Sequence, residues 1–164
     1  MNSKIETEAK IRVSKELFYK IHKELGKSEF IAQENKFFIN SQGEIIRLRF
    51  ENNKIILNKK TNINTKTKFK SMNEKETIIS ESNIKEILSF LEFRELFSYN
   101  KQRADFRIDD CIVSLDKLEN NNFFIEIEGK EKDISLIIFK LNLQDQILED
   151  KSYLEILGGM NGLH

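Results

Sequence analysis

Like-charged residues recur two positions apart along this chain, in segments that alternate polar with apolar side chains. Glu6 and Glu8 form one acidic pair and Glu126 and Glu128 another; Arg47 with Arg49 and Lys101 with Arg103 are basic pairs. In a β-strand, residues i and i+2 project to the same side about 6.5–7 Å apart, so each pair would present two like charges from one face. Glu6, Glu8, Lys10 and Arg12 share such a face, while Ile5, Ala9, Ile11 and Val13 share the other. One reading is an ordinary sheet whose polar face meets water. The repetition, sorted by sign, points elsewhere, because neighbouring like charges repel and each group then needs a neutralising partner. Metal cations between the carboxylates and a polyanion between the Arg and Lys side chains would supply both.

The rest of the composition narrows the chemistry. With 2 histidines and a single cysteine, a metal site would be built from oxygen, which suits Mg²⁺, Mn²⁺ or Ca²⁺ and not zinc. Cys111 has no partner for an intramolecular disulfide, fits a reducing cytosol, and reads as a buried structural thiol. His22 reads as a solvated position of the first helix. Lys plus Arg and Asp plus Glu number 27 each, and a zero net charge argues against a dedicated nucleic-acid binder. Met1-Asn2-Ser3-Lys4 begins no apolar signal segment, and the apolar run Leu136 to Phe139 is too short to span a bilayer. A cytoplasmic protein without membrane or nucleic-acid partners is expected.

These charges need strands to hold them. The 164 residues suffice for one domain with a real core, and period-2 alternation predicts strands at 4–13, 30–39, 45–50, 54–60, 72–80, 97–107, 111–118 and 123–129. Ser14 is placed to cap a helix whose apolar face carries Leu17, Phe18, Ile21 and Leu25, with Gly26 as its stop. Further helices are expected from Ser82, near 132–143 and at 151–157. Residues 61–71 read as an exposed, mobile loop and 158–164 as a frayed tail. Asn52-Asn53 suits the positive φ of a two-residue hairpin turn. If Glu51 pairs with Lys54, Arg49 faces Ile56, Arg47 faces Asn58, and Lys60 joins the face of the arginines while Lys59 points away; Lys59 in its place is the alternative. Strands linked mostly by short turns predict an α+β, antiparallel architecture, closed or nearly closed into a barrel that removes exposed edges.

Glu6-Thr7-Glu8-Ala9-Lys10 resembles the E-x-E-x-K pattern of the CYTH superfamily, the triphosphate tunnel metalloenzymes, which include class IV adenylyl cyclases, thiamine triphosphatases and inorganic triphosphatases. The similarity continues in order through Gln33 to Phe38, Arg47-Leu48-Arg49, Leu57 to Lys60, Lys101-Gln102-Arg103, Asp116, Glu126-Ile127-Glu128 and Ser152 to Leu157. Two departures stand out: Thr61-Asn62 follows the lysine where Gly-Pro is frequent, and Met72 stands where many relatives carry a basic residue. The resemblance implies one domain over residues 1–164, an eight-stranded antiparallel tunnel with charged walls and a few outer helices.

It also implies roles. Glu6, Glu8 and Glu128 would lead the metal ligands, with Asp116 and Glu126 close by, for Mg²⁺ or Mn²⁺. Lys10, Arg47, Arg49, Lys60, Lys101 and Arg103 would hold phosphates, with Arg12 and Lys151 assisting; Glu6, Glu8 and Lys10 would be central to catalysis. The implied activity is metal-dependent phosphoryl transfer on a triphosphate-bearing small molecule, as a triphosphatase. The alternatives are a class IV adenylyl cyclase and a non-catalytic polyphosphate sensor. A homodimer is common among such relatives. Tyr153 either lines one mouth with Lys151 or is a packed C-terminal aromatic.

Overall fold

Alternation in Asn2–Val13 sends charged side chains to one face and Ala9, Ile11 and Val13 to the other, and the whole architecture follows from that division. In the computed structural model, which describes residues 2–63 and 67–160, this segment is the long strand β1. Ser14 accepts a hydrogen bond from the Leu17 amide and opens α1 (Lys15–Leu25); Gly26, at φ 100°, ends it. Then come β2 (Ile31–Ile39), β3 (Ile45–Glu51), β4 (Lys54–Asn62) and β5 (Lys70–Ile79). Asn52 and Asn53 turn the β3–β4 hairpin at φ 48° and 58°, and Glu51 pairs with Lys54 as expected. Helix α2 (Ile84–Phe90) precedes β6 (Arg94–Ile108), β7 (Cys111–Leu118) and β8 (Phe123–Glu128), after which come α3 (Glu131–Lys140), the two-residue β9 (Ile147–Leu148) and α4 (Tyr153–Ile156).

Neighbouring strands run in the order β5-β4-β3-β2-β6-β7-β8-β1, and β1 closes the circle by pairing with β5. Its length makes this possible. Residues 2–8 pair antiparallel with β5, while residues 8–13 pair with β8. The result is the closed eight-stranded antiparallel barrel that the pattern predicted. β9 is an addition that the periodicity did not reveal: two residues are too few to show alternation, and it pairs with Ile11 and Arg12 beyond the end of β5.

The apolar faces of the strands point outward and need cover. Phe18 and Ile21 of α1 and Ile134 and Ile137 of α3 supply it, packing on Ala9, Ile11, Val113, Leu115, Ile125 and Ile127. Leu88 of α2 packs over Leu48 and Ile55. Cys111 is buried in the first of these cores, as expected for a structural thiol. His22 is a correction: it is partly buried, its ring 4.8 Å from that of Phe30, because α1 lies flat on the barrel. No helix among the described residues is long and apolar enough to cross a membrane.

Two further expectations change. Of the loop predicted at 61–71, residues 64–66 lie outside the described residues, but Thr61 and Asn62 extend β4 and Phe69 is buried in the core; a lone aromatic in a polar run anchors what composition alone reads as free. Of the tail predicted at 158–164, residues 161–164 lie outside the described residues, whereas 158–160 are held. The Gly159 amide donates to the Leu154 carbonyl at 2.8 Å. A Cβ at Gly159 would lie 2.3 Å from Leu154 Cδ1 and 2.8 Å from Phe97 Cγ. Gly159 therefore seats α4 across one end of the barrel. Gly159→Ala is expected to cost about 1–3 kcal/mol through overpacking, read as a lower urea midpoint with an unchanged m-value; an unchanged midpoint would mean that α4 is only loosely seated.

Candidate active site

The polar faces of the eight strands enclose a cavity of about 710 Å³. Glu6, Glu8 and Lys10 project into it from β1, each only 7 % exposed. Burying charges at that level is costly unless each finds a partner, and the cross-strand registers supply the partners.

On one side, carboxylates gather around an ammonium. Lys60 Nζ of β4 lies 2.7 Å from Glu6, 3.6 Å from Glu8 and 3.6 Å from Glu74 of β5. Burial opposes the charge on Lys60, but Glu8 and Glu6 outweigh it and hold its pKa above the ordinary value. Burial pushes the Glu6 carboxyl up to about 8; Lys60 pulls it back, and Glu8 and Glu74 add to the rise. Glu74 goes the other way despite its burial, lowered by Lys60 and by a hydrogen bond from Asn58 Nδ2 at 2.5 Å. Glu128, from β8, accepts a 2.7 Å hydrogen bond from Lys4.

On the other side, Asp116 organises the cations. It is wholly buried and accepts from Lys101 Nζ at 2.9 Å, from Arg103 Nε at 2.7 Å and from the Tyr153 hydroxyl at 2.8 Å. Burial alone would raise its pKa, but Arg103 and Lys101 hold it down. Arg103 also bonds Glu126, whose acidity is strengthened against burial by Arg103 and Lys10. Lys101 pays for its complete burial and for the nearby Arg103: its pKa falls to about 8. Lys10 Nζ lies 3.4 Å from Glu126 and 4.4 Å above the Tyr153 ring, with Lys101 Nζ 4.9 Å from the same ring. Tyr153 is thus the packed C-terminal aromatic of the two readings, set against Tyr99 and Phe124, and it lines the cavity without Lys151.

Arg49 reaches Glu51 at 3.2 Å and Glu76 at 3.4 Å; burial and the adjacent Arg47 lower its pKa. Arg47 differs. Among the described residues it has no ion pair; its Nε, like that of Arg49, is buried without a hydrogen-bond partner, but no carboxylate stands within ion-pair distance of it. A cationic group beside other cations, with an unused donor, suits an anion.

The sign-sorted strands are thus interleaved in space. Carboxylates of β1, β5, β7 and β8 reach Lys and Arg side chains of adjacent strands and of strands one further round the barrel, so much of the neutralisation expected from outside is internal. Glu6, Glu8, Lys10, Arg47, Arg49, Lys60, Lys101, Arg103, Glu126 and Glu128 all line the one cavity, and Asp116 stands behind the basic wall. Arg12 does not join them: it donates to Asn122 and Glu149 and stacks on Phe124, at a position of β1 past the end of its pairing with β5, where β8 and β9 flank it. The Lys151 side chain is exposed, and only its carbonyl enters, accepting from Lys10 at 3.1 Å. Lys59 points outward to Glu44, so the hairpin register puts Lys60 in the tunnel. Residues not assigned from sequence also line it. Glu74 and Glu76 carry the same i, i+2 acidic signature and were open to discovery by it; Asn58 and Gln33 fall within the segments of family resemblance but, being neutral, carried no charge pattern to mark them.

Among the described residues, no group of three or more His, Cys, Asp and Glu side chains is arranged as a finished metal cluster. The acidic side nevertheless fits a hard cation in donor type, being all carboxylate oxygen, and a cation already stands among Glu6, Glu8 and Glu74 in the form of the Lys60 ammonium.

The raised Glu6 pKa predicts a stability profile. The unfolded carboxyl titrates near 4.5 and the folded one near 8, so the folded state holds the extra proton between these values. The Glu6 contribution is complete below about 4.5 and is lost as the pH climbs to about 8. In metal-free buffer containing a chelator, Glu6→Gln should flatten the fall in melting temperature across that window. An identical slope in the variant would place the buried proton elsewhere.

Comparison of the sequence with curated proteins finds no match. Solved structures do match in fold. A candidate adenylate cyclase from Bacillus halodurans superposes with a TM-score of 0.77 at 19% identity, over 95% of this chain and 98% of that one. A candidate adenylyl cyclase from Hippeastrum, described as having a dominant triphosphatase activity, gives 0.70 at 19% identity, over 93% of both chains. A chain of the Schizosaccharomyces pombe Mediator head module gives 0.74 at 10% identity, over 88% and 98%; the barrel alone therefore assigns no chemistry. The family model of the CYTH domain matches residues 4–156, from just before the first acidic pair to the end of α4. This chain belongs to the CYTH domain family.

Proposed function

We propose that the protein is a divalent-metal-dependent triphosphatase acting on a triphosphate-bearing small molecule. The observation that carries this reading is the convergence of Lys10, Arg47, Arg49, Lys60, Lys101 and Arg103, from strands distant in sequence, on one cavity that also presents Glu6, Glu8, Glu74, Glu126 and Glu128. Such a chamber matches a compact polyanion carrying divalent cations.

Phosphoryl transfer asks the protein for alignment and charge neutralisation more than for covalent chemistry. Arg47, Arg49 and Arg103 offer fork-shaped donors to phosphate oxygens, and Lys10 and Lys101 act as point charges. Asp116, fixed by Tyr153, orients Lys101 and Arg103 and keeps the basic wall from collapsing under its own repulsion. α4 adds to the wall of the same cavity, with the Tyr153 ring against the ammonium groups of Lys10 and Lys101. Glu6 and Glu8 would hold Mg²⁺ or Mn²⁺, with Glu128 serving a second ion, and the metal would neutralise phosphate oxygens and acidify the nucleophile. Glu126 stays ionised beside Arg103 and Lys10, and so positions them.

The dominant triphosphatase activity described for the Hippeastrum protein supports hydrolysis; the name of the Bacillus halodurans protein supports attack by a ribose hydroxyl, which makes a cyclic nucleotide. Incubation with inorganic triphosphate or ATP and Mg²⁺ or Mn²⁺ separates them. Orthophosphate release is the expected result, and cyclic AMP with pyrophosphate would reassign the protein as a cyclase. Glu8→Gln should lower turnover by on the order of a hundredfold or more, since even outer partners of a metal site cost about 10–100-fold; full turnover in a folded variant would remove Glu8 from the site.

Binding also has a signature of its own. A ligand at a hundredfold excess over its Kd stabilises by about 2.7 kcal/mol, or roughly 5–10 °C of melting temperature for a chain of this size. Triphosphate should give a shift of that order at fixed ionic strength, orthophosphate much less, and Arg49→Ala should shrink the triphosphate shift. Equal shifts from the two anions, untouched by Arg49→Ala, would reduce the basic wall to a generic charged surface.

A further inference from the structure

Lys60 and Arg47 are cations of the same chamber in opposite states. Lys60 is engaged: its ammonium stands among Glu6, Glu8 and Glu74 at 2.7, 3.6 and 3.6 Å. Arg47, opposite Asn58 and so diagonal to Lys60 on the same inward face, has no ion pair among the described residues and a buried Nε without a hydrogen-bond partner. The strands explain the contrast. Lys60 lies opposite Glu74 across the β4–β5 ladder, whereas Arg47 lies opposite neutral Phe37 and Asn58 on its two sides.

We propose that Lys60 is an exchangeable internal cation that couples metal binding to polyphosphate binding. In the metal-free protein it occupies the carboxylates that would hold a divalent ion. As an ion arrives at Glu6 and Glu8, the Lys60 ammonium is displaced, because two cations cannot share the same carboxylate oxygens without strong repulsion. Its flexible four-carbon stem then carries the charge toward Arg47, whose unused donor marks where an anion is least contested. Arg47 and Lys60 together become the phosphate anchor, and Lys60 contributes to it only after metal has bound. Such coupling is reciprocal by thermodynamic necessity: metal tightens phosphate binding and phosphate tightens metal binding by the same factor. Water and stray anions then meet an incomplete site until the cation is in place.

The proposal rests on the triphosphate reading, and calorimetry on the whole chain separates the two. The probes are Mn²⁺ alone and an imido-bridged tripolyphosphate that resists hydrolysis, each titrated into wild type, Lys60→Met and Arg47→Met, with folding checked by circular dichroism. Lys60→Met should bind Mn²⁺ alone about tenfold more tightly than wild type, since the competitor is gone and one charge-assisted contact corresponds to roughly tenfold or more. Arg47→Met also removes a positive charge from the chamber but frees no carboxylate, so its Mn²⁺ affinity should rise much less. For the analogue, Lys60→Met should leave binding in chelator nearly unchanged and weaken it about tenfold or more at saturating Mn²⁺, whereas Arg47→Met should weaken both. Exchange is overturned if Lys60→Met weakens metal-free analogue binding as much as metal-loaded binding, or if both variants raise Mn²⁺ affinity alike. Failure of wild type to bind Mn²⁺ or the analogue at all would sink the triphosphate reading itself.

Discussion

The structure depends on one constraint: a dense set of charges has been taken out of water into a single chamber and must be neutralised there. Removing one carboxylate or ammonium from water costs several kcal/mol even after relaxation, and here Glu6, Glu8, Lys10, Glu74, Lys101 and Asp116 are all buried. Pairing across strands offsets that cost. Asp116 accepts from Lys101, Arg103 and Tyr153, while Lys60 serves Glu6, Glu8 and Glu74 at once. The network does not balance everywhere. Glu6 holds its proton up to about 8, and Arg47 keeps an unused buried donor. Imbalances of this kind cluster at functional sites because the ligand completes them.

Placing charge inside the barrel forces the apolar surface outward. A barrel with an oily interior would need little on its outer face, but this one must cover Ala9, Ile11, Val113, Leu115, Ile125 and Ile127 from outside, and α1 and α3 do so. The helices thus follow from the polarity of the chamber. β1 has the most demanding part, since it closes the barrel by pairing with β5 through its first half and β8 through its second. Its acidic residues consequently meet Lys60 and Glu74 on one flank and Glu126 and Glu128 on the other. The C-terminal segment adds the cap, with Gly159 allowing Leu154 and Phe97 to pack tightly enough to lay Tyr153 under Lys10 and Lys101.

The same barrel in a Mediator head chain and in proteins named as cyclases or triphosphatases shows how little the backbone decides about chemistry. The chemistry open to this chain lies in its inward face. On the function proposed above, the fork-shaped arginines, the buried carboxylate that orders Arg103 and the acidic patch would form two halves of a site, each suited to one component of a metal–polyphosphate complex.

How much of this was legible beforehand follows from the range of each interaction. Period-2 alternation is local, so the strands, the charged face of β1, the Ser14 cap and the Asn52-Asn53 hairpin could all be read from neighbouring residues; the hairpin register favoured Lys60 but left Lys59 as the alternative, and only the structure turned Lys59 outward to Glu44. The ordered motifs from Glu6 to Leu157 marked the family for the same reason. Local patterns carry no information about what lies across the barrel. That Asp116 gathers Lys101 and Tyr153 as well as its cross-strand partner Arg103, that Glu6 and Glu8 join Glu74 around Lys60, that Arg12 lies past the end of β5 while Arg47 has no ion pair among the described residues: these were settled only by how the strands and the C-terminal segment came together. Closure brings residues more than a hundred positions apart within hydrogen-bond distance, as with Lys4 and Glu128, and burial then decides which like-charged pair is neutralised internally and which is left for a ligand.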